Sequence, residues 1–137
     1  MALKEIRQAI ETRLATWAAT KSIPVGWENV AEEFDTSHIR FFLFPASTQD
    51  PSMGAIHRRY RGLARIQYFS DQVGTGAKAV EEIGEELVAL FPRGTQLVNG
   101  DFNILLERTP SQSGIQMESN YCYVVVEFPY RCDTIHN

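Results

Sequence analysis

No apolar run in this chain approaches the roughly 18 residues that a membrane-spanning helix needs. The longest, 41–45 and 121–126, have the length of strands. The opening residues, Met-Ala-Leu-Lys-Glu-Ile-Arg, carry charge throughout and lack the apolar block of a secretory signal, so the expected compartment is the cytosol. Cysteine is scarce: Cys122 and Cys132 are the two present. They share a strand-like segment, where ten positions span roughly 33 Å, far beyond disulfide reach without a sharp bend. Both have the parity of Val124, Val126 and Phe128 and read as small buried hydrophobes. The histidines, His38, His57 and His136, are scattered, and no Cys-x-x-Cys occurs. A structural zinc site is excluded on those grounds. There is no glycine-rich phosphate loop, no Gly-x-Ser-x-Gly elbow and no His-Glu-x-x-His. Gly74-Thr-Gly76 lacks the lysine and further glycine of a phosphate cradle and reads as a strand-to-helix turn. The expectation is a protein with no cofactor, no metal and no catalytic residue.

What remains is an ordinary globular composition. The 137 residues are 44% hydrophobic and 22% charged, which suits one domain spanning 1–137 with an adequate core. The net charge of −4 argues against a nucleic-acid binder. Its distribution is uneven, however. No acid occurs between Asp50 and Asp71, a stretch that holds Arg58, Arg59, Arg61 and Arg65. Glu28, Glu32, Glu33 and Asp35 come with no base among them.

Periodicity lays out the elements. Leu3, Ile6, Ile10, Leu14 and Trp17 form the stripe of an amphipathic helix over 2–19. Arg13 falls near that stripe, either as a snorkelling side chain or as an interface arginine. Pro24 forbids continuation of the helix. Val25, Trp27 and Val30 suggest a short extended piece, and 32–35 a turn. Residues 38–44 read as a strand apolar on both parities, and so covered on both faces. A ten-residue loop of turn formers, 45–54, joins it to a long strand over 56–70, making an extended, protruding hairpin. Thr75 is the expected N-cap of a helix over 76–91. In that helix Val80, Ile83, Leu87, Leu90 and Phe91 share one arc with Gly84, while Glu81, Glu82, Glu85 and Glu86 share the opposite one. A glycine on the buried arc predicts close approach to a sheet. Two or three strands follow: 96–98 before the Asn99-Gly100 turn, 102–108, and 120–133 after a loop at 110–114. Pro129 marks an edge or bulge. The fold class is α+β, one antiparallel or mixed sheet with both helices packed on one face.

The feature that stands out is His57-Arg58-Arg59-Tyr60-Arg61, continued by Arg65. Arginines on one strand face, interleaved with tyrosine, suit a solvated face, a protein interface or a phosphate-bearing ligand. The glutamates of the second helix and of 28–35 read as solvated surface or as an acidic patch for a basic partner. Opposite charges separated along one chain suit head-to-tail self-association, which closes into a ring when the rotation permits. The alternative class is a small, non-catalytic nucleic-acid- or ligand-binding α+β module.

The layout also resembles a known family. The Ile-Arg-x-Ala-Ile-Glu-x-Arg-Leu-x-x-Trp helix opens the chain, and Ile23-Pro-Val-x-Trp-Glu-Asn29 follows it. Then come the aromatic strand 39–45, the Tyr60-Arg-Gly-Leu-Ala-Arg-Ile-Gln67 strand, a helix ending Leu-Phe-Pro92 and a tyrosine-rich final strand. Together these are similar to the tailed-phage and prophage tail terminators of the lambda type. The resemblance implies a structural virion protein, assembled in the host cytoplasm and residing in the tail. It implies a ring, usually of six, that caps the tail tube, ends its polymerisation and offers the surface for head–tail joining. Its partners would be other copies of itself, the tube protein and a head–tail connector, with no membrane. In such a ring His57, Arg58, Arg59, Arg61 and Arg65 are candidates for a subunit contact or for a lumen that passing DNA crosses. Glu28, Glu32, Glu33, Asp35, Glu81, Glu82, Glu85 and Glu86 are candidates for the complementary acidic surface.

Overall fold

A computed structural model describes residues 2–28, 30, 34–49, 57–71, 76–118 and 120–135. The first helix, α1 (Ala2–Lys21), buries Ile6, Ile10, Leu14 and Ala18 along the stripe set by the sequence. It ends in a Schellman turn. The Ile23 amide donates to the Ala18 carbonyl (3.0 Å) and the Ser22 amide to the Ala19 carbonyl (3.2 Å). Ser22 occupies the left-handed position at φ 56°, where glycine is the usual residue. Two residues later Pro24 directs the chain into β1 (Val25–Gly26), which runs parallel to β2 (His38–Pro45).

β2 pairs antiparallel with β3 (His57–Ser70), in register from His38 opposite Phe69 to Pro45 opposite Gly62. β3 in turn pairs over its full length with β8 (Tyr121–Ile135), from Ser70 opposite Cys122 to His57 opposite Ile135. This long ribbon is the spine of the sheet. Its other edge is covered in relay by three short strands: β7 (Gln116–Glu118), β6 (Ser111–Gln112) and β5 (Phe102–Leu105). β4 (Gln96–Asn99) pairs with β5 at the margin. The sheet is therefore mixed and eight-stranded, in the order β1-β2-β3-β8-β5-β4.

Strand alternation sorts the faces. Ile39, Phe41, Leu43, Ala64, Ile66, Val124, Val126 and Phe128 point to one side and are almost wholly buried. Both helices supply the cover, α1 through its stripe and α2 (Lys78–Leu90) through Val80 and Leu87, in one hydrophobic core. Gly84 lies where expected. A Cβ there would sit 2.8 Å from Gln112 Cδ and 3.3 Å from Val124 Cγ2, so α2 rides directly on β8 and β6.

Several expectations change. The cap of α2 is Ala77, already helical at φ −88°, with no side-chain cap bond; Thr75 lies outside the described residues. Five strands, not two or three, follow α2. The strand beginning at Phe102 stops at Leu105; at the next row the Leu106 carbonyl accepts from the Gly94 amide (2.7 Å), one residue out of the β4–β5 register. The expected loop at 110–114 contains β6. The β4–β5 turn is Gly100-Asp101, with Gly100 at φ 61°, so glycine takes the first central position of the hairpin turn. The second face of β2 is only partly covered: Phe44 is 44% exposed, shielded by Phe42 and by the Arg65 guanidinium 5.0 Å from its ring. The loop after β2 begins on the edge of β3. The Ala46 amide donates to the Arg61 carbonyl (2.8 Å), and Gln49 exchanges two backbone bonds with Arg59. Residues 50–56, the tip that the sequence suggested would protrude, lie outside the described residues.

Candidate functional site

Period-two alternation sends His57, Arg59, Arg61 and Arg65 to the sheet face away from the helices, and Arg58 to the helix side beyond the core. The antiparallel register then decides what each meets. Arg59 faces Asp133, and its Nε donates to Asp133 Oδ1 at 2.8 Å. His57 Nε2 lies 3.1 Å from the same oxygen. Arg131 approaches the other oxygen at 3.2 Å through Nε and holds Glu107 at 2.6 Å through Nη1. Burial would push the Asp133 carboxyl up. The hydrogen bonds from Arg59 and His57, and the charges of Arg59 and Arg131, outweigh it and hold the carboxyl below its ordinary value. Arg65 pairs with Glu127 at 3.1 Å, further along the ribbon.

Arg61 is different. Its cross-strand neighbour is Arg131, a like charge directly opposite, an arrangement that destabilises a sheet. Arg61 and Arg58 are both exposed and make no ion pair with a described residue. Among the described residues, the basic stretch thus divides into three members that meet a carboxylate and two that do not.

The acidic set divides too. Glu28 Oε1 accepts from Arg7 Nη1 (2.9 Å) and from the Leu43 amide (2.7 Å), finishing the edge of β2 where β1 stops. Glu11 flanks the same arginine. Burial pushes its carboxyl up and the Glu28 charge adds to that, against the opposing pull of Arg7. Asp35 is exposed; Glu32 and Glu33 lie outside the described residues. On α2, Glu86 pairs with Lys21 of α1 at 2.5 Å. Glu81, Glu82 and Glu85 are exposed and form no ion pair with a described residue. Arg13 resolves as a fastener within the chain. Its Nε donates to the Leu90 carbonyl at 2.7 Å, satisfying an end of α2, and its guanidinium lies 6.0 Å from the Phe91 ring centre.

Sequence reasoning missed the β8 partners, Arg131 and Asp133. Their signal is the register itself: the alignment that sets Arg65 against Glu127 also sets Arg59 against Asp133. It also missed an aromatic stack at the opposite end of the ribbon. There His38, 4% exposed, lies between Phe34 (4.6 Å) and Phe69 (5.0 Å), with Tyr121 edge-on at 5.2 Å. Its Nδ1–H donates to the Thr36 carbonyl at 2.9 Å. Burial lowers its pKa, as does the Arg40 charge, against the opposing effect of that hydrogen bond. The neutral imidazole serves as a third ring in the stack.

Little here points to bond-making chemistry. Both cysteines are buried, and burial pushes the Cys132 thiol up, away from the reactive thiolate. Among the described residues no three His, Cys, Asp or Glu side chains converge as a metal site. No described helix is long and apolar enough to cross a membrane. The arrangement offers charged surfaces suited to protein contacts.

No curated protein matches the chain. Among solved structures, one protein superimposes with a TM-score of 0.81 at 26% identity, covering 96% of each chain. Its name states no function. A family model described as phage tail terminator protein matches residues 5–130, from the first turn of α1 to Tyr130 of β8. The match takes in both helices and most of the sheet, and the chain belongs to the phage tail terminator family, a family of structural tail proteins.

Proposed function

We propose that this protein closes the end of the phage tail tube as a homo-oligomeric ring, with six subunits the expected number. The ring stops addition of tube subunits and presents the surface on which the head, or its connector, docks. Assembly takes place in the host cytoplasm, and the finished ring stays in the virion tail. The observation that supports this reading is the family match over 5–130, which takes in the two helices and most of the long ribbon.

The physical chemistry is in keeping. A terminator needs surfaces that bind copies of itself and the tube, and it needs no reactive group. The exposed charges at the ribbon end and on α2 are surfaces of that kind. Two measurements test the proposal. Native mass spectrometry over a concentration series should show a closed species near six times the 15.5 kDa protomer, about 93 kDa by cyclic assembly. Tube protein polymerised with the chain present should give capped tubes that stop lengthening. Tube lengths unchanged by stoichiometric protein would refute the capping role.

A further inference from the structure

We infer that neighbouring copies meet through one polar contact: the basic ribbon end of one subunit, Arg58 and Arg61 beside Arg131, against the acidic outer face of α2 of the next, Glu81, Glu82 and Glu85. The inference rests on the ring proposal and names the surfaces that join its subunits.

Four observations carry it. The two groups have opposite sign, and Arg58, Arg61 and the three glutamates have no ion-pair partner among the described residues. They cannot neutralise each other within one chain. α2 lies over Val124, with Gly84 against its side chain, whereas Arg61 stands opposite Arg131. Seven strand positions separate those points on β8, about 23 Å at roughly 3.3 Å per residue. Arg61 also points away from the face that α2 covers, while Arg58, on the helix side, stands at the ribbon end beyond the core. Finally, Arg61 stands opposite Arg131, whose charge is already met by Glu107 and Asp133, and finds no carboxylate of its own among the described residues. An incoming carboxylate supplies Arg61 with that partner. Complementary patches at separate places on one protomer make a heterologous interface, which builds a ring when the rotation closes. Arginine suits the basic side because its planar fork accepts carboxylates bidentately.

The test uses two charge-reversed full-length chains, one carrying Arg58→Glu and Arg61→Glu, the other Glu81→Arg and Glu85→Arg. All four positions are exposed and form no ion pair with a described residue, so each variant should melt close to the wild type. Each variant alone should lose self-association, with or without tube protein, by roughly a hundredfold or more, since like charges then face each other. Mixed in equal amounts, the two should recover assembly as an alternating ring with an even number of subunits. Wild-type rings with unimpaired assembly of either variant alone would overturn this pairing and leave the ring proposal standing. A wild type that never assembles, even on tubes, would overturn both. A closed two-subunit species would overturn the head-to-tail arrangement. Intact assembly of the Arg58→Glu, Arg61→Glu chain with loss of salt-sensitive DNA binding would assign the arginines to DNA and overturn the contact.

Discussion

Replacing Gly62 by alanine tests the tightest approach in the sheet. Gly62 sits on β3 between Pro45 of β2 and Tyr130 of β8, on the parity that faces the helices. A Cβ there would lie 2.6 Å from the Phe44 carbonyl oxygen and 2.6 Å from Tyr130 Cζ, and closer still to the Tyr130 hydroxyl. Real Cβ contacts essentially never fall below 3.0 Å, so something must move. The Phe44 carbonyl is fixed by the β2–β3 ladder. Tyr130 is 3% exposed, and burial pushes its hydroxyl pKa up to about 12, so any shift of its ring disturbs packed neighbours. Alanine gains about 0.5–1 kcal/mol in a strand by restricting the unfolded chain. Overpacking of this kind costs about 2–3 kcal/mol. The net loss is about 2 kcal/mol, a fall in Tm of roughly 6–10 °C for a domain of this size. Paired urea and thermal melts read it directly. Adding Tyr130→Phe removes the nearest clashing atom and should return about 0.5 kcal/mol or more of the loss as coupling. A Gly62→Ala chain that melts with the wild type would refute the reasoning, because the sheet would then have the slack this geometry denies it.

Other substitutions probe other joints. Ser22→Gly should raise stability by up to about 1 kcal/mol, since Ser22 holds a left-handed φ of 56° at the end of α1; a lower urea midpoint would contradict that. Arg13→Met keeps the aliphatic stem but leaves the Leu90 carbonyl short of its donor, for an expected loss of about 1–2 kcal/mol by chemical denaturation. His38, with its pKa lowered in the fold, remains neutral there at pH values where the unfolded chain takes up a proton. Stability is therefore full above about pH 6.5 and falls as pH drops through that value, a slope that His38→Phe should flatten in urea midpoints taken from pH 7.5 to 5. Asp133 has the opposite linkage. Its lowered pKa contributes stability above its ordinary 3.8 that is lost as pH falls further, so Asp133→Asn should remove part of the acid transition while weakening the fold at neutral pH.

The helices and long strands were legible because their burial is periodic. The 2–19 stripe became the buried face of α1, and the outward parity of 57–65 became the arginine row. β6 and β7 were not legible. Ser111–Gln112 and Gln116–Glu118 have no apolar alternation, and they are strands only because the edge of β8 offers them backbone partners. The same limit governed the charges. The sequence announces an arginine cluster, but whether each member is quenched depends on a register set by distant residues. Arg59 finds Asp133 and Arg61 finds Arg131 in adjacent inter-strand rows. Glu28 looked like open acidic surface; the fold uses it as a hydrogen-bond acceptor for α1 and β2.

That last role has a consequence for growth. A bare strand margin is a template: any passing extended chain can zip onto it, and uncontrolled sheets and fibres begin that way. Along β2 the parallel partner lasts only two residues, after which the next outer-edge amide, that of Leu43, is claimed by a carboxylate. A newcomer aligning there would have to evict Glu28 and break its bond with Arg7. The margin is thereby sealed with a side chain, and this flank of the sheet is protected from templated aggregation.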